Sequence, residues 1–125
     1  MLSRSRRIGW LATAVFIVVT CAAFTHPTLA GATTTCSLAK DGRKLGTTYV
    51  TSLKVTGVTC TGGKRLVKAF NACRRASGGV RGRCTRRVLG YRCTERRQSI
   101  PTQFSSRATC KDGNRVVRFS YTQFT

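Results

Sequence analysis

Residues 60–76 read CTGGKRLVKAFNACRRA, and residues 104–121 read FSSRATCKDGNRVVRFSY. The first stretch has helical periodicity. At about 100° per residue, Leu66, Ala69, Phe70, Cys73 and Ala76 fall on one face, and Lys64, Lys68, Asn71 and Arg75 fall on the opposite one. Thr61 is the expected cap, with the helix starting at Gly62 or Gly63, and Ser77-Gly78-Gly79 is the stop. The second stretch alternates on both sides of Asp112-Gly113, a pair that tolerates the positive φ of a tight hairpin turn. With those two as loop residues, Ala108 opposes Val117, Ser106 opposes Phe119 and Phe104 opposes Tyr121, with Cys110 on the same face. Arg107, Thr109, Val116, Arg118 and Ser120 then point the other way.

Working outward, Thr48 to Thr59 is rich in Thr, Val, Tyr and Leu and reads as a strand. Tyr49, Thr51, Leu53 and Val55 share one side of it. Val88 to Glu95 reads as another strand, with Leu89, Tyr91 and Cys93 on one face. Pro101 marks Arg96 to Gln103 as a turn, and Val80 to Cys84 is a loop by composition. Ahead of these, Gly31 to Thr35 is small and polar, which suggests a flexible leader. Asp41-Gly42 suggests a short hairpin between Ser37–Lys40 and the residues from Lys44. The expected fold is α+β, one amphipathic helix on a three- or four-stranded antiparallel sheet.

Residues 1–30 read as an export signal, because Arg4, Arg6 and Arg7 precede an apolar run from Ile8 to Phe24, and Thr28-Leu29-Ala30 offers a cleavage site. Arg6-Arg7 also fits a twin-arginine signal. Cys21 fits a lipidated first residue, and an uncleaved run fits a membrane anchor. The expected organisation is signal at 1–30, leader and short hairpin at 31–47, and compact domain at 48–125. The expected location is secreted or in the cell envelope.

The chain carries 23 Lys and Arg against three acids, Asp41, Glu95 and Asp112. Removing residues 1–30 takes three basic residues and no acid, so the net charge falls from +20 to +17. A domain of about 95 residues buries a modest fraction of its surface, and self-repulsion adds to the cost of compaction. Staples are therefore expected. Once Cys21 leaves with the signal, the even set Cys36, Cys60, Cys73, Cys84, Cys93 and Cys110 implies three disulfides. Cys73 and Cys84 bracket the glycine-rich loop and form the favoured pair. The other pairings stay open.

Catalysis is poorly provided for. The only histidine, His26, lies in the signal. Asp41 and Asp112 are explained by Asp-Gly turns, and Glu95 by neutralisation among Arg92, Arg96 and Arg97. No C-x-x-C pair suggests a metal site, and no cofactor motif is present. Gly62-Gly63-Lys64 lacks the full phosphate-loop pattern.

Charge points instead to anionic partners. Lys64, Arg65, Lys68 and Arg75 on the helix, with Arg107 and Arg118 on the hairpin, are the expected anion-binding residues. The partners expected are anionic polymers, such as wall phosphate polymers, acidic glycans or nucleic acid bound without sequence specificity, or an anionic membrane surface. A non-enzymatic module of this kind is the first expectation. A protein-directed inhibitor or effector, offering the 77–84 loop or the 96–103 turn to a secreted or envelope protein, is the second, and a secreted hydrolase the third.

The runs TYVTSLKVTGVTC (48–60), CTGGKRLVKAFNAC (60–73), RVLGYRC (87–93) and IPTQFSSRATCKDGNRVVRFSYTQFT (100–125) resemble a group of small secreted bacterial proteins of uncharacterised function. The signature is a cysteine opening a helix, an aromatic-x-Cys strand and a closing Cys-containing hairpin. It implies a fold and no activity.

Overall fold

A computed structural model describes residues 31–125. The expected signal, with Cys21, lies outside them. The elements are β1 (Thr33–Thr35), β2 (Lys44–Leu45), β3 (Thr48–Thr56), α1 (Cys60–Ala76), β4 (Arg92–Ile100), β5 (Gln103–Asp112) and β6 (Arg115–Phe124). The sheet is antiparallel throughout, in the order β1-β3-β6-β5-β4, with β2 pairing the start of β3. The helix packs on one face, so the class is α+β, as expected.

Six strands replace the three or four expected. Thr33–Thr35 pairs with Lys54–Thr56, so part of the presumed leader is sheet. Its residues are exposed on both faces, and without burial no apolar alternation marks it. Residues 39–41 form a single 3-10 turn in place of a hairpin strand, and Lys44–Leu45 pairs forward with Thr48–Tyr49. Cys36, Leu38 and Leu45 are buried in the core, which therefore begins well ahead of residue 48.

In β3 a bulge between Val50 and Ser52 shifts the phase. Thr48, Val50, Leu53 and Val55 are buried, while Tyr49 and Thr51 turn outward. At the far edge, β4 runs on through Arg96–Ile100, where a turn was expected. An edge strand with one solvated side needs few apolar residues, so its polar pattern hides it. Ahead of it, Val88 and Tyr91 bridge across Leu89-Gly90, both at positive φ, which leaves Leu89 54% exposed instead of in the core.

The β5–β6 hairpin is displaced by two residues from the expected register. Asp112 pairs with Arg115 and the loop is Gly113-Asn114, so Ala108 opposes Phe119, Ser106 opposes Tyr121 and Phe104 opposes Gln123. Gly113, at φ 56°, takes the first loop position, where a II′-type turn wants glycine. A shift of two preserves which face each residue occupies, so the expected division of faces holds.

The helix starts two residues earlier than expected, with Thr59 as its cap, accepting from the Gly62 N–H at 3.1 Å. Its buried face is Gly63, Leu66, Val67, Phe70, Asn71, Cys73 and Arg74. Asn71 is thus inside rather than outside, and Ala76 outside. Phe70 meets Phe119 edge-on at 5.3 Å between centroids. A Cβ on Gly63 would stand 2.6 Å from a Val55 methyl, so glycine there sets the close approach of helix to sheet.

The disulfides join neighbours in sequence: Cys36–Cys60, Cys73–Cys84 and Cys93–Cys110. The favoured pair is among them. Three bridges in so small a domain are compatible with an extracellular protein.

Candidate anion-binding face

With α1 covering one face of the sheet, strand alternation sends the other half of the side chains to an uncovered face. In β6 the buried residues Val117, Phe119, Tyr121 and Gln123 alternate with Val116, Arg118, Ser120 and Thr122. The register aligns these outward residues in rows. Lys54, Arg118, Thr109 and Thr94 make one; Ser52, Ser120, Arg107 and Arg96 the next; Thr56, Val116, Lys111 and Arg92 lie on the other side of the first.

Three pairs of like charge stand directly opposite each other across strands: Lys54 and Arg118, Arg96 and Arg107, Arg92 and Lys111. Directly opposed like charges destabilise a sheet. The expected relief, an interleaved carboxylate, is missing. Asp41 is held by Lys64, Asp112 by Arg115 and Glu95 by Arg97, and all three lie off this face. Among the described residues, the ion pairs draw on Lys64, Arg83, Arg97 and Arg115, none of them here.

A groove of about 500 Å³ crosses this face. Arg96 and Arg107 line it together with the hydroxyl residues Thr51, Ser52, Ser105, Ser120 and Thr122. A shallower hollow of about 240 Å³ adjoins it, with Lys54, Arg107, Arg118 and Thr109 in its walls.

The six expected anion-binding residues do not form one site. Lys64, Arg65, Lys68 and Arg75 lie on the helix, with Lys64 Nζ 2.6 Å from Asp41 and Arg75 half-buried, whereas Arg107 and Arg118 lie across the sheet. The structure adds Lys54, Arg92, Arg96 and Lys111 to Arg107 and Arg118. Alternation alone puts Lys54 on the polar side of its strand. Arg96 becomes visible only when β4 is extended past Glu95.

The covered face holds a second charged cluster. Glu95 accepts from Arg97 at 2.7 and 3.0 Å, from Ser106 at 2.8 Å and from the Tyr121 hydroxyl. Arg97 also donates to the carbonyls of Arg81 and Gly82 and lies over the Phe104 ring at 4.2 Å. Burial pushes the Glu95 carboxyl up, but the hydrogen bonds from Arg97, Tyr121 and Ser106 together outweigh it and hold it below the usual carboxylate range. Burial and the Glu95 hydrogen bond push the Tyr121 phenol up to about 12. Glu95 is therefore a fixed anion near neutral pH. A general acid needs the opposite shift.

Arg74 is completely buried nearby. It donates to Val80 O at 2.6 Å, Gln123 Oε1 at 2.9 Å, and Thr48 Oγ1 and Asn71 Oδ1 at 3.4 Å. Desolvation lowers its pKa.

Among the described residues no cluster of His, Cys, Asp or Glu is suited to hold a metal ion. No protein-family model, no curated protein and no solved structure matches the chain.

Proposed function

We propose that this protein is a secreted or envelope-located, non-enzymatic module that binds anionic polymers through the uncovered sheet face. The observation that carries the reading is the set of six cations, Lys54, Arg92, Arg96, Arg107, Lys111 and Arg118, on a face without a carboxylate. Such a field concentrates polyanions and displaces their counterions, giving binding that weakens steeply with salt. The exposed aromatics of this face, Tyr49 and Phe124, lie at its margin beyond the three cation pairs, which argues against reading of bases by stacking. Retention of the folded, oxidised protein on a polyanion column, measured against salt, tests the proposal. Elution at low salt, with a neutral control, overturns it.

A protein-directed role is favoured by a different observation. Ile100 is 56% and Phe124 67% exposed beside the β4–β5 turn, an apolar tip on a basic molecule. The 77–84 loop suits this role less, because Arg74 and Arg97 pin its carbonyls. A stoichiometric protein partner retained at high salt favours this second reading.

A further inference from the structure

We infer that the Arg96–Arg107 pair is a clamp for a tetrahedral oxyanion, and that its ligand is a phosphodiester-linked polymer; this rests on the polyanion reading above. The two arginines are cross-strand neighbours in β4 and β5, and both line the groove. Cross-strand neighbours have Cβ atoms about 4.5 to 5.5 Å apart, so two guanidinium groups so placed repel unless an anion sits between them. A bridging anion converts the repulsion into two charge-assisted contacts.

The donor set selects among anions. Each guanidinium presents a planar fork, and Ser52, Ser105, Ser120 and Thr122 surround the pair with hydroxyls. A carboxylate holds its two oxygens in one plane, which suits a single fork. A phosphodiester holds two charged oxygens and two ester oxygens tetrahedrally about phosphorus, so two forks and the hydroxyls approach it from different sides. The one aromatic in the groove wall, Tyr121, is buried with its ring packed against Phe70 and Phe104 on the covered face, so it gives no platform for a base or a sugar ring, and the fitting contact is the phosphate backbone itself.

The neighbouring pairs extend the argument from one ligand group to a chain. Lys54–Arg118 lies one row along, on β3 and β6, and Arg92–Lys111 one row beyond, back on β4 and β5. With strands about 4.8 Å apart and same-face residues roughly 6.6 Å apart, successive pair centres are roughly 12 Å from one another. A flexible polymer with regularly repeated charges spans such a zigzag.

Because Arg96 and Arg107 are exposed, substitution spares the core. In low salt, Arg96→Gln and Arg107→Gln should each raise the melting temperature of the free protein by roughly 1 to 5 °C, by relieving repulsion. Each should weaken binding of poly(glycerol phosphate) roughly tenfold or more. Inorganic phosphate should stabilise the wild type more than acetate does at equal ionic strength, and Arg107→Lys should abolish that difference while column retention persists. Equal stabilisation by phosphate and acetate, or an unaltered phosphate effect in Arg107→Lys, overturns the clamp alone. Tighter binding of heparin than of poly(glycerol phosphate) overturns the phosphodiester assignment. Loss of wild-type retention at low salt overturns the polyanion reading, and is distinguishable because the small-anion measurement does not depend on it.

Discussion

The guanidinium of Arg74 lies 5.1 Å from the centroid of the Tyr121 ring, fully enclosed, and every hydrogen bond that it makes is to a neutral oxygen. The arrangement ties the end of α1 to β3, to β6 and to the loop after the helix through one side chain. Spreading the charge over a planar group makes this possible, since it reaches four acceptors in different directions.

Arg74→Lys keeps the charge but cannot reach those acceptors together. The variant is expected to lose about 2 to 4 kcal/mol of stability. Urea unfolding of the oxidised protein, monitored by fluorescence or circular dichroism, checks this. A loss below about 0.5 kcal/mol would contradict the assignment.

Glu95 contributes stability that depends on pH. Its folded-state pKa is depressed below the unfolded value, so the contribution is complete above the ordinary carboxylate range and is lost as pH falls through the folded pKa. Wild-type stability should therefore fall below about pH 4. Glu95→Gln should cost roughly 3 kcal/mol at pH 7, by leaving Arg97 unpaired. The variant should also show a shallower acid limb, read from melting temperature against pH.

At the alkaline end the sign reverses. The Tyr121 pKa is raised to about 12, so the stability tied to its protonated form is present below the unfolded value near 10 and is lost as pH rises from there through 12. Tyr121→Phe removes this dependence together with the hydrogen bond to Glu95. Between pH 9 and pH 11 the urea midpoint should fall further for the wild type than for the variant, with slopes unchanged.

Of the bridges, Cys36–Cys60 closes the longest segment, with a separation of 24 against 11 for Cys73–Cys84. Chain entropy gives it the larger effect by roughly 0.7 kcal/mol, on a cost of about 3 kcal/mol for either. Paired Cys→Ser variants of each, compared by urea midpoint, check the order. Intact and reduced masses check that three bridges are present.

The elements with a strong burial pattern were legible from the residues. The helix shows its stripe, and β5 and β6 show theirs so clearly that a two-residue error in register left every face correct. Elsewhere burial gave no mark. Thr33–Thr35 is exposed on both sides, and β4 has Arg96, Gln98 and Ser99 solvated, so composition could not separate strand from loop. The bulge after Val50 inverted the phase of half a strand, which no alternation rule anticipates. Asn71 read as helix surface because polarity usually marks solvent, and nothing in the pattern marked Arg74 as core; the burial of both depends on acceptors from β2, β3, β6 and the loop at Val80. The charged face had the same difficulty, since charge was plain in the sequence but its juxtaposition required the strand order.

That each bridge joins consecutive cysteines, with none crossing another, bears on assembly. Whenever the chain becomes available from its N-terminus onward, each thiol meets its mate before the next pair appears, so oxidation can keep pace with delivery. The sheet does not share this order. Its β3–β6 seam, at the middle, unites the longest strand of the first half with the last one delivered, so closure of the centre waits for residues 115–124.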